Sequence, residues 1–387
     1  MTALPTVRLK TVASSRGPWI FRKMVDAAEP RTEPGAIVRV VDREGGFVAQ
    51  AFWNPKSELS LRVLTRVEDP PIDDGWLRRA VSRAVALRRE TLKLDKQGNA
   101  WRAVFSEADQ LPGLIVDRYG DVASCQVASL GIYRAFRVIA EELKLRLPAK
   151  VIHVAADPKI AKLEGFPVPD GAGDAARTVI RENGLDFEVD CAQGHKTGFF
   201  LDQRDSRRRI RELARGKKVL DLFCYSGGFA LNAAKGEARD VTGVDLDEHA
   251  VAQAGRNAKR NGFDAVRFVH ADAFGFLRGL TDRGFDIVVV DPAKQAANRT
   301  DLTKALHYYE DLNTLAFAKV AEGGLVLSCS CSGVVSEPDF LESLSRAARN
   351  ARREATFLEV TGAPADHPVP ADFPQARYLK CVLVRVL

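Results

Sequence analysis

Lys218-Val219-Leu220-Asp221-Leu222-Phe223-Cys224-Tyr225-Ser226-Gly227-Gly228-Phe229-Ala230 is the stretch whose reading decides the fold. An apolar run closes on an acid and a short turn of small residues, and a helix-like pattern then begins. The same unit recurs downstream, with apolar runs at Asp240 to Asp245, Val266 to His270, Phe285 to Val290 and Gly324 to Ser328, separated by helical stretches. Apolar strands alternating with helices predict a parallel, doubly wound α/β sheet. In such a sheet, ligands bind beyond the carboxyl ends of the strands.

Those ends carry a consistent set of residues. After the first strand, Cys224, Tyr225, Ser226 and Gly227 form a turn small enough for the backbone to approach a ligand. Asp245 and Leu246 end the second strand, and an acid there suits both hydroxyls of a ribose. Asp272 and Ala273 follow the third strand, and Asp291-Pro292 the fourth. The G-x-G-x-x-G spacing that seats a pyrophosphate on a helix terminus is absent, which argues against a dinucleotide dehydrogenase. S-adenosylmethionine fits the set better. A purely structural role, in which Asp221 caps its own turn, stays open.

Working outward, residues 1–72 alternate short apolar runs with turn residues, as a small β domain does. Val67-Glu68-Asp69-Pro70-Pro71 breaks both periods and marks a boundary, after which an Arg-rich helix is expected from Trp76 to Leu94. Residues 73–186 predict an α+β unit with strands at Trp101 to Phe105, Leu114 to Asp117, Val122 to Val127, Val151 to Ala155 and Leu185 to Val189, and a helix at Tyr133 to Leu145. Residues 187–387 hold the doubly wound sheet, whose edge Tyr378 to Val386 is placed to close. With 387 residues, 46% hydrophobic and 28% charged, the chain is a folded multi-domain protein rather than a disordered or fibrous one. A formal charge of +6 suits a partner bearing phosphate. Six scattered cysteines without paired spacing predict reduced thiols and no metal site. The sequence holds no long apolar run and Met1 to Val12 has no leader-like core, so a cytoplasmic location is expected, with no membrane span.

Cys329 and Cys331 lie in Ser328-Cys329-Ser330-Cys331-Ser332-Gly333, after the fifth strand and at the same rim as Asp291-Pro292-Ala293-Lys294. A thiolate there is chemically meaningful, because addition to C6 of a cytosine makes C5 nucleophilic enough to take a methyl group. The plain alternative is a small buried hydrophobe.

At this point the sequence closely resembles a known family, the bacterial large-subunit ribosomal RNA cytosine-5 methyltransferases. The resemblance is carried by Gly17-Pro18-Trp19-Ile20-Phe21, by Leu111 to Asp121, by Gly194-His195-Lys196-Thr197-Gly198-Phe199-Phe200-Leu201-Asp202-Gln203-Arg204, by Tyr309 to Asn313, by Ser330-Cys331-Ser332-Gly333, by Ala365 to Val369 and by Tyr378-Leu379-Lys380. It implies an N-terminal PUA domain, a middle EEHEE domain and a C-terminal class I methyltransferase domain. It also implies Cys331 as nucleophile, Cys329 as a second candidate, Asp291 beside the target base, and a cofactor site at Phe200, Asp221, Cys224, Tyr225, Ser226, Gly227, Asp245, Leu246, Asp272, Ala273 and Asp291. Large-subunit ribosomal RNA is the implied partner, met by Lys196, Arg204, Arg208, Trp19 and Lys294; a homodimer is left open. Where the family has Asp-Pro-Pro-Lys and then an aromatic residue, Ala293 and Gln295 stand here, which exchanges a stiff stacking loop for a polar one. Arg204 to Arg211 carries five arginines, a density that would track phosphates or merely form a solvated face. Two rival readings remain at this stage, an exocyclic nitrogen methyltransferase using Asp291 to Lys294, and a non-catalytic RNA-binding or ribosome-assembly protein with a decayed cofactor pocket.

Overall fold

The computed structural model describes residues 4–12, 17–192, 198–281 and 283–387. Two compact units emerge, one of residues 1–180, 189–201 and 365–374, the other of 181–188, 202–364 and 375–387.

The first unit holds two sheets. Strands Thr6–Arg8, Ile37–Val41, Phe47–Trp53, Leu61–Thr65 and Trp19–Ile20 lie in that spatial order. Their inward residues, among them Val38, Val40, Ala49, Ala51 and Leu61, form a small core. The other sheet is a meander of Ala100–Phe105, Leu114–Tyr119 and Val122–Val127, joined in parallel by Val151–Ala155 after the helix Leu130–Arg146. Helix Asp74–Ala86 starts where Asp73 accepts a hydrogen bond from Trp76 N at 2.6 Å. Its buried Trp76, Leu77, Ala80, Val81, Ala84 and Val85 recur at helical spacing and pack into the core that the sheet also faces. It runs into a π-helical turn, Leu87–Thr91, in place of the uninterrupted helix expected to Leu94. Glu164 ties the unit together, accepting from Asn54, Ser57, Arg62 and the Leu130 amide. Burial works against its charge, yet Arg62 and these donors hold its carboxyl below the usual range.

A hairpin, Arg177–Glu182 with Leu185–Asp190, lies in the chain where one unit gives way to the other, so the expected boundary at 186/187 falls inside a strand. Its second strand pairs with its neighbour in the hairpin instead of joining the middle sheet.

The second unit is built on seven strands: Lys218–Leu222, Asp240–Asp245, Arg267–His270, Phe285–Val290, Val320–Ser330, Ala355–Thr361 and Lys380–Val386. Numbered along the chain, they lie in the order third, second, first, fourth, fifth, seventh, sixth. The first five are parallel, as their unbroken apolar runs predict, and the seventh runs antiparallel to both its neighbours, the fifth and the sixth. Lys380–Val386 is therefore an interior strand, and Ala355–Thr361 takes the edge expected for it. Its run of buried residues suits the interior position, whereas Ala355–Thr361 is largely exposed. Alternate residues feed opposite cores, Leu220, Leu222, Val288 and Val290 on one side and Val219, Ile287, Val289 and Leu327 on the other. Strand order reverses between the first and fourth strands, which places the ligand crevice beyond Leu222 and Val290.

Candidate active site

The turn after the first strand is wound tightly. Phe223 and Tyr225 have φ of 62° and 46°, and Gly227 follows at 85°. Left-handed backbone is costly for residues with a Cβ, and the neighbouring strand holds it in place. Cys224 N donates to Val244 O at 3.0 Å and Tyr225 N to the Asp245 carboxylate at 2.8 Å. A Cβ at Gly227 would lie 3.2 Å from the Phe268 ring and 3.3 Å from Ala254, tight contacts on a left-handed backbone that favours glycine. Asn257, fully buried in its helix, donates to Ser226 O at 3.0 Å and accepts from Glu188 N at 2.9 Å. Behind Gly228, Arg207 and Glu182 form a buried two-point ion pair at 2.6 and 2.8 Å.

Asp221 is wholly buried, with Oδ2 accepting from Ala230 N at 2.9 Å and Oδ1 lacking a partner. Burial raises its pKa well above the ordinary value, and Asp291 and Asp245 push in the same direction. An unpartnered carboxyl oxygen buried at a switch point leaves an acceptor open to a donor from a ligand. Asp245 Oδ1 accepts from Asp247 N at 2.9 Å, so both oxygens of Asp245 are oriented by backbone while keeping lone pairs for a diol. Leu246 beside it is 66% exposed, an apolar platform at the rim, with its carbonyl on His270 Nε2 at 2.9 Å. Asp272 caps the helix Ala273–Gly279 through Gly275 N at 2.7 Å, and Ala273 is buried in the first turn. Cys224 is buried, which pushes its thiol up and keeps it protonated. Phe200 belongs to the first unit and is half-buried there.

The fifth strand carries the thiols to the same rim. Cys329 is fully buried, registered against Cys381, with burial and Cys381 pushing its thiol well up. It packs among hydrocarbon, so the second candidate nucleophile is not placed to attack a base. Cys331, past the strand end, is half-buried and is the one cysteine of the six that is not buried. Ser332 Oγ accepts from Gln295 N at 3.1 Å and Ala296 N at 3.2 Å, pinning the Asp291-to-Ala296 loop to the cysteine segment. Tyr309 OH lies 3.2 Å from that hydroxyl and accepts from Ser330 Oγ at 3.0 Å. Burial pushes Tyr309 up to about 12. Asp291 is half-buried, and Lys294 is exposed on the loop surface.

The arginine helix departs from expectation. Arg204 and Arg207 are buried, Arg209 bonds Glu359 and Arg211 bonds Asn183 O, so four of the five serve the fold. Arg208 is the exposed member, 3.4 Å from Asp205. Trp19 is 39% exposed, its ring edge-on to Phe373 and its Nε1 donating to Glu107 at 2.8 Å, which leaves a partial face for contact. Lys196 and His195 lie outside the described residues. Sequence reasoning gave no role to Asn257, Ser332, Tyr309 or Lys380; an amide within an amphipathic helix and a lysine inside an apolar strand were the signals available. No group of His, Cys, Asp and Glu among the described residues is arranged to hold a metal, and no described helix is long and apolar enough to cross a membrane.

The sequence matches the S-adenosylmethionine-dependent methyltransferase family over residues 171–385 and a PUA-like domain over 12–66. "Ribosomal RNA large subunit methyltransferase I" of Tolumonas auensis is 38% identical over 381 residues, covering 96% of each chain. Its counterpart in Shewanella amazonensis is 37% identical over 379 residues, again covering 96% of each. Among solved structures, the one titled "Crystal structure of SMU.776, a putative methyltransferase complexed with SAH" superposes with a TM-score of 0.81 at 20% identity over 100% of both chains. A Streptococcus mutans protein described as SAM-dependent gives 0.80 at 19% over 98% of this chain and 99% of that one. The half-satisfied Asp221 and the tight turn at Gly227 fit the cofactor these comparisons name, so S-adenosylmethionine is the cofactor. The chain belongs to the S-adenosylmethionine-dependent methyltransferases with a PUA-like N-terminal domain, in the family that holds the ribosomal RNA large subunit methyltransferases I.

Proposed function

We propose that the protein methylates C5 of a cytosine in large-subunit ribosomal RNA, in the cytoplasm, through a covalent adduct at Cys331. The observation carrying this reading is the position of Cys331, half-exposed at the rim while five other thiols are buried. Bound S-adenosylmethionine supplies an electrophilic methyl group. Asp221, Asp245, Leu246 and the Cys224-to-Gly227 turn would hold it, with Asp272 and Ala273 at the third strand end. The Cys331 thiolate forms a bond to C6, and the electron pair of the C5–C6 double bond makes C5 the nucleophile. C5 takes the methyl group as S-adenosylhomocysteine leaves; a base, such as water at the open rim, then accepts the C5 proton, the C–H electron pair re-forms the double bond and the S–C6 bond breaks, returning the thiolate. Asp291, on the loop that Ser332 pins beside Cys331, orients the target base. Residues 1–72 act as the PUA-like RNA grip, 73–186 as the middle EEHEE domain and 187–387 as the catalytic domain. Trp19, Lys196, Arg208 and Lys294 meet RNA; Arg204 supports the helix that presents Arg208.

Incubation with large-subunit RNA containing 5-azacytidine tests this, because that analogue blocks elimination. A stable protein–RNA adduct at Cys331, absent in Cys331→Ala, is expected. Methyl transfer that survives Cys331→Ala, with no adduct in the unsubstituted protein, overturns it in favour of exocyclic nitrogen chemistry.

A further inference from the structure

Lys380 opens the seventh strand, in register with Ser330, and is 2% exposed. Its Nζ donates to Ser332 O at 2.7 Å, Val335 O at 2.7 Å and Tyr378 O at 2.9 Å. An ammonium has three donors, and all three are taken up by neutral carbonyls, two of them on the turn directly after Cys331. Burying a cation among dipoles alone is expensive, and burial brings Lys380 down to about 8. The charged and titratable groups facing it are Cys331, Cys381 and Glu337, which favour its charged form, and Arg377, which opposes it. Glu337 lies 3.3 Å from Arg377 and largely cancels it, and Cys381 is buried against Gln203. Cys331 remains, one residue before the Ser332 carbonyl that Nζ holds. Tyr309, bonded to Ser330 and Ser332 on either side of Cys331 in the chain, is neutral at working pH, and Asp291 acts on it by pushing its hydroxyl up.

We propose that Lys380 is the positioning residue for the nucleophile: its buried ammonium clamps the Ser332–Val335 turn and serves as the fixed counter-charge of the Cys331 thiolate. The assignment rests on the reading of Cys331 as nucleophile. The Cys331 proton leaves to solvent through the exposed side of the thiol, and below about pH 8 Lys380 keeps its three protons on the carbonyls. Lys380 touches no reacting atom.

The test is the pH profile of iodoacetamide alkylation at Cys331, followed by peptide mass spectrometry on the full chain without RNA. In the unsubstituted protein the midpoint should lie below that of an ordinary cysteine, about 8.5. Lys380→Met should raise it by about one unit, leaving about tenfold less thiolate at pH 7 and alkylation slower by about threefold once the more basic thiolate's greater nucleophilicity is counted. Lys380→Arg, which keeps the charge, should restore a lowered midpoint. An unsubstituted midpoint at or above about 8.5 overturns the proposal with no variant needed, and so does an equal midpoint in a folded Lys380→Met protein. If circular dichroism shows Lys380→Met unfolded, the unsubstituted midpoint and Lys380→Arg decide. Because alkylation involves no RNA, a lowered midpoint without a 5-azacytidine adduct would sink the cytosine reading alone, and an adduct with an ordinary midpoint would sink the lysine alone.

Discussion

Asp221→Asn should make the cofactor-free protein more stable and the cofactor weaker, two effects of opposite sign from one oxygen. Oδ2 accepts the Ala230 amide, a role the asparagine carbonyl keeps; Oδ1 is buried without a partner. Burial, aided by Asp291 and Asp245, raises the folded-state pKa well above the ordinary 3.8. The folded chain thus binds a proton that the unfolded chain has released, and stability falls as pH rises from 3.8 towards the raised value. Asparagine removes that slope. In calorimetric melts without cofactor, the variant should match the parent near pH 4 and exceed it increasingly towards pH 8. Binding goes the other way, since a charge-assisted hydrogen bond to the ammonium of S-adenosylmethionine is worth about 1.5–3 kcal/mol, or about 10- to 150-fold in Kd. Isothermal titration at pH 8 reads that loss directly. Parallel stability profiles, or an unchanged Kd, would show that the orphan oxygen does not face the ligand and would refute the reasoning.

Glu182→Gln strands the buried Arg207 guanidinium and should cost about 3–5 kcal/mol, lowering Tm by about 10 °C in thermal unfolding. Gly227→Ala forces a Cβ against Phe268 at φ 85° and should cost about 1–2 kcal/mol together with cofactor affinity, checked by melting and titration. Asn257→Ala releases Ser226 O and Glu188 N and should weaken cofactor binding, with about 1–3 kcal/mol lost for each group left unpaired. Asn261→Ala, which frees Asp186 but leaves the Ser226 turn untouched, should keep the parent Kd.

The doubly wound sheet was legible because its strands are buried on both faces, so the apolar runs at Val219 to Leu222 and Ile287 to Val290 are nearly continuous. The acids closing them followed from the same logic, and Asp221, Asp245 and Asp291 stand at one rim. What escaped was pairing across the chain. Nothing in Arg204 to Arg211 says that Glu182 and Glu359 await two of its arginines, so an internal brace looked like a phosphate track. Strand order among antiparallel members was equally hidden, since the apolar run of Lys380–Val386 does not say which strands flank it. Ser332 and Lys380 sat inside quoted motifs, yet a serine hydroxyl accepting from residues 295 and 296 is visible only in three dimensions.

That hydroxyl also bears on the loop where the chain departs from its family. A second proline at position 293 would restrict the backbone through its ring; Ala293 does not. Restriction is supplied from the other side instead: Gln295 N and Ala296 N both converge on Ser332 Oγ, the Gln295 side chain returns to Ala293 O at 2.6 Å, and Tyr309 borders the serine from beneath. Ser332 is in turn followed by the turn that Lys380 grips. The loop bearing Asp291 and the segment bearing Cys331 are thus parts of one hydrogen-bonded assembly. What Gln295 does not replace is the stacking face of an aromatic ring, worth about 1–3 kcal/mol per base, so the substitution bears on grip of the base more than on placement of the thiol.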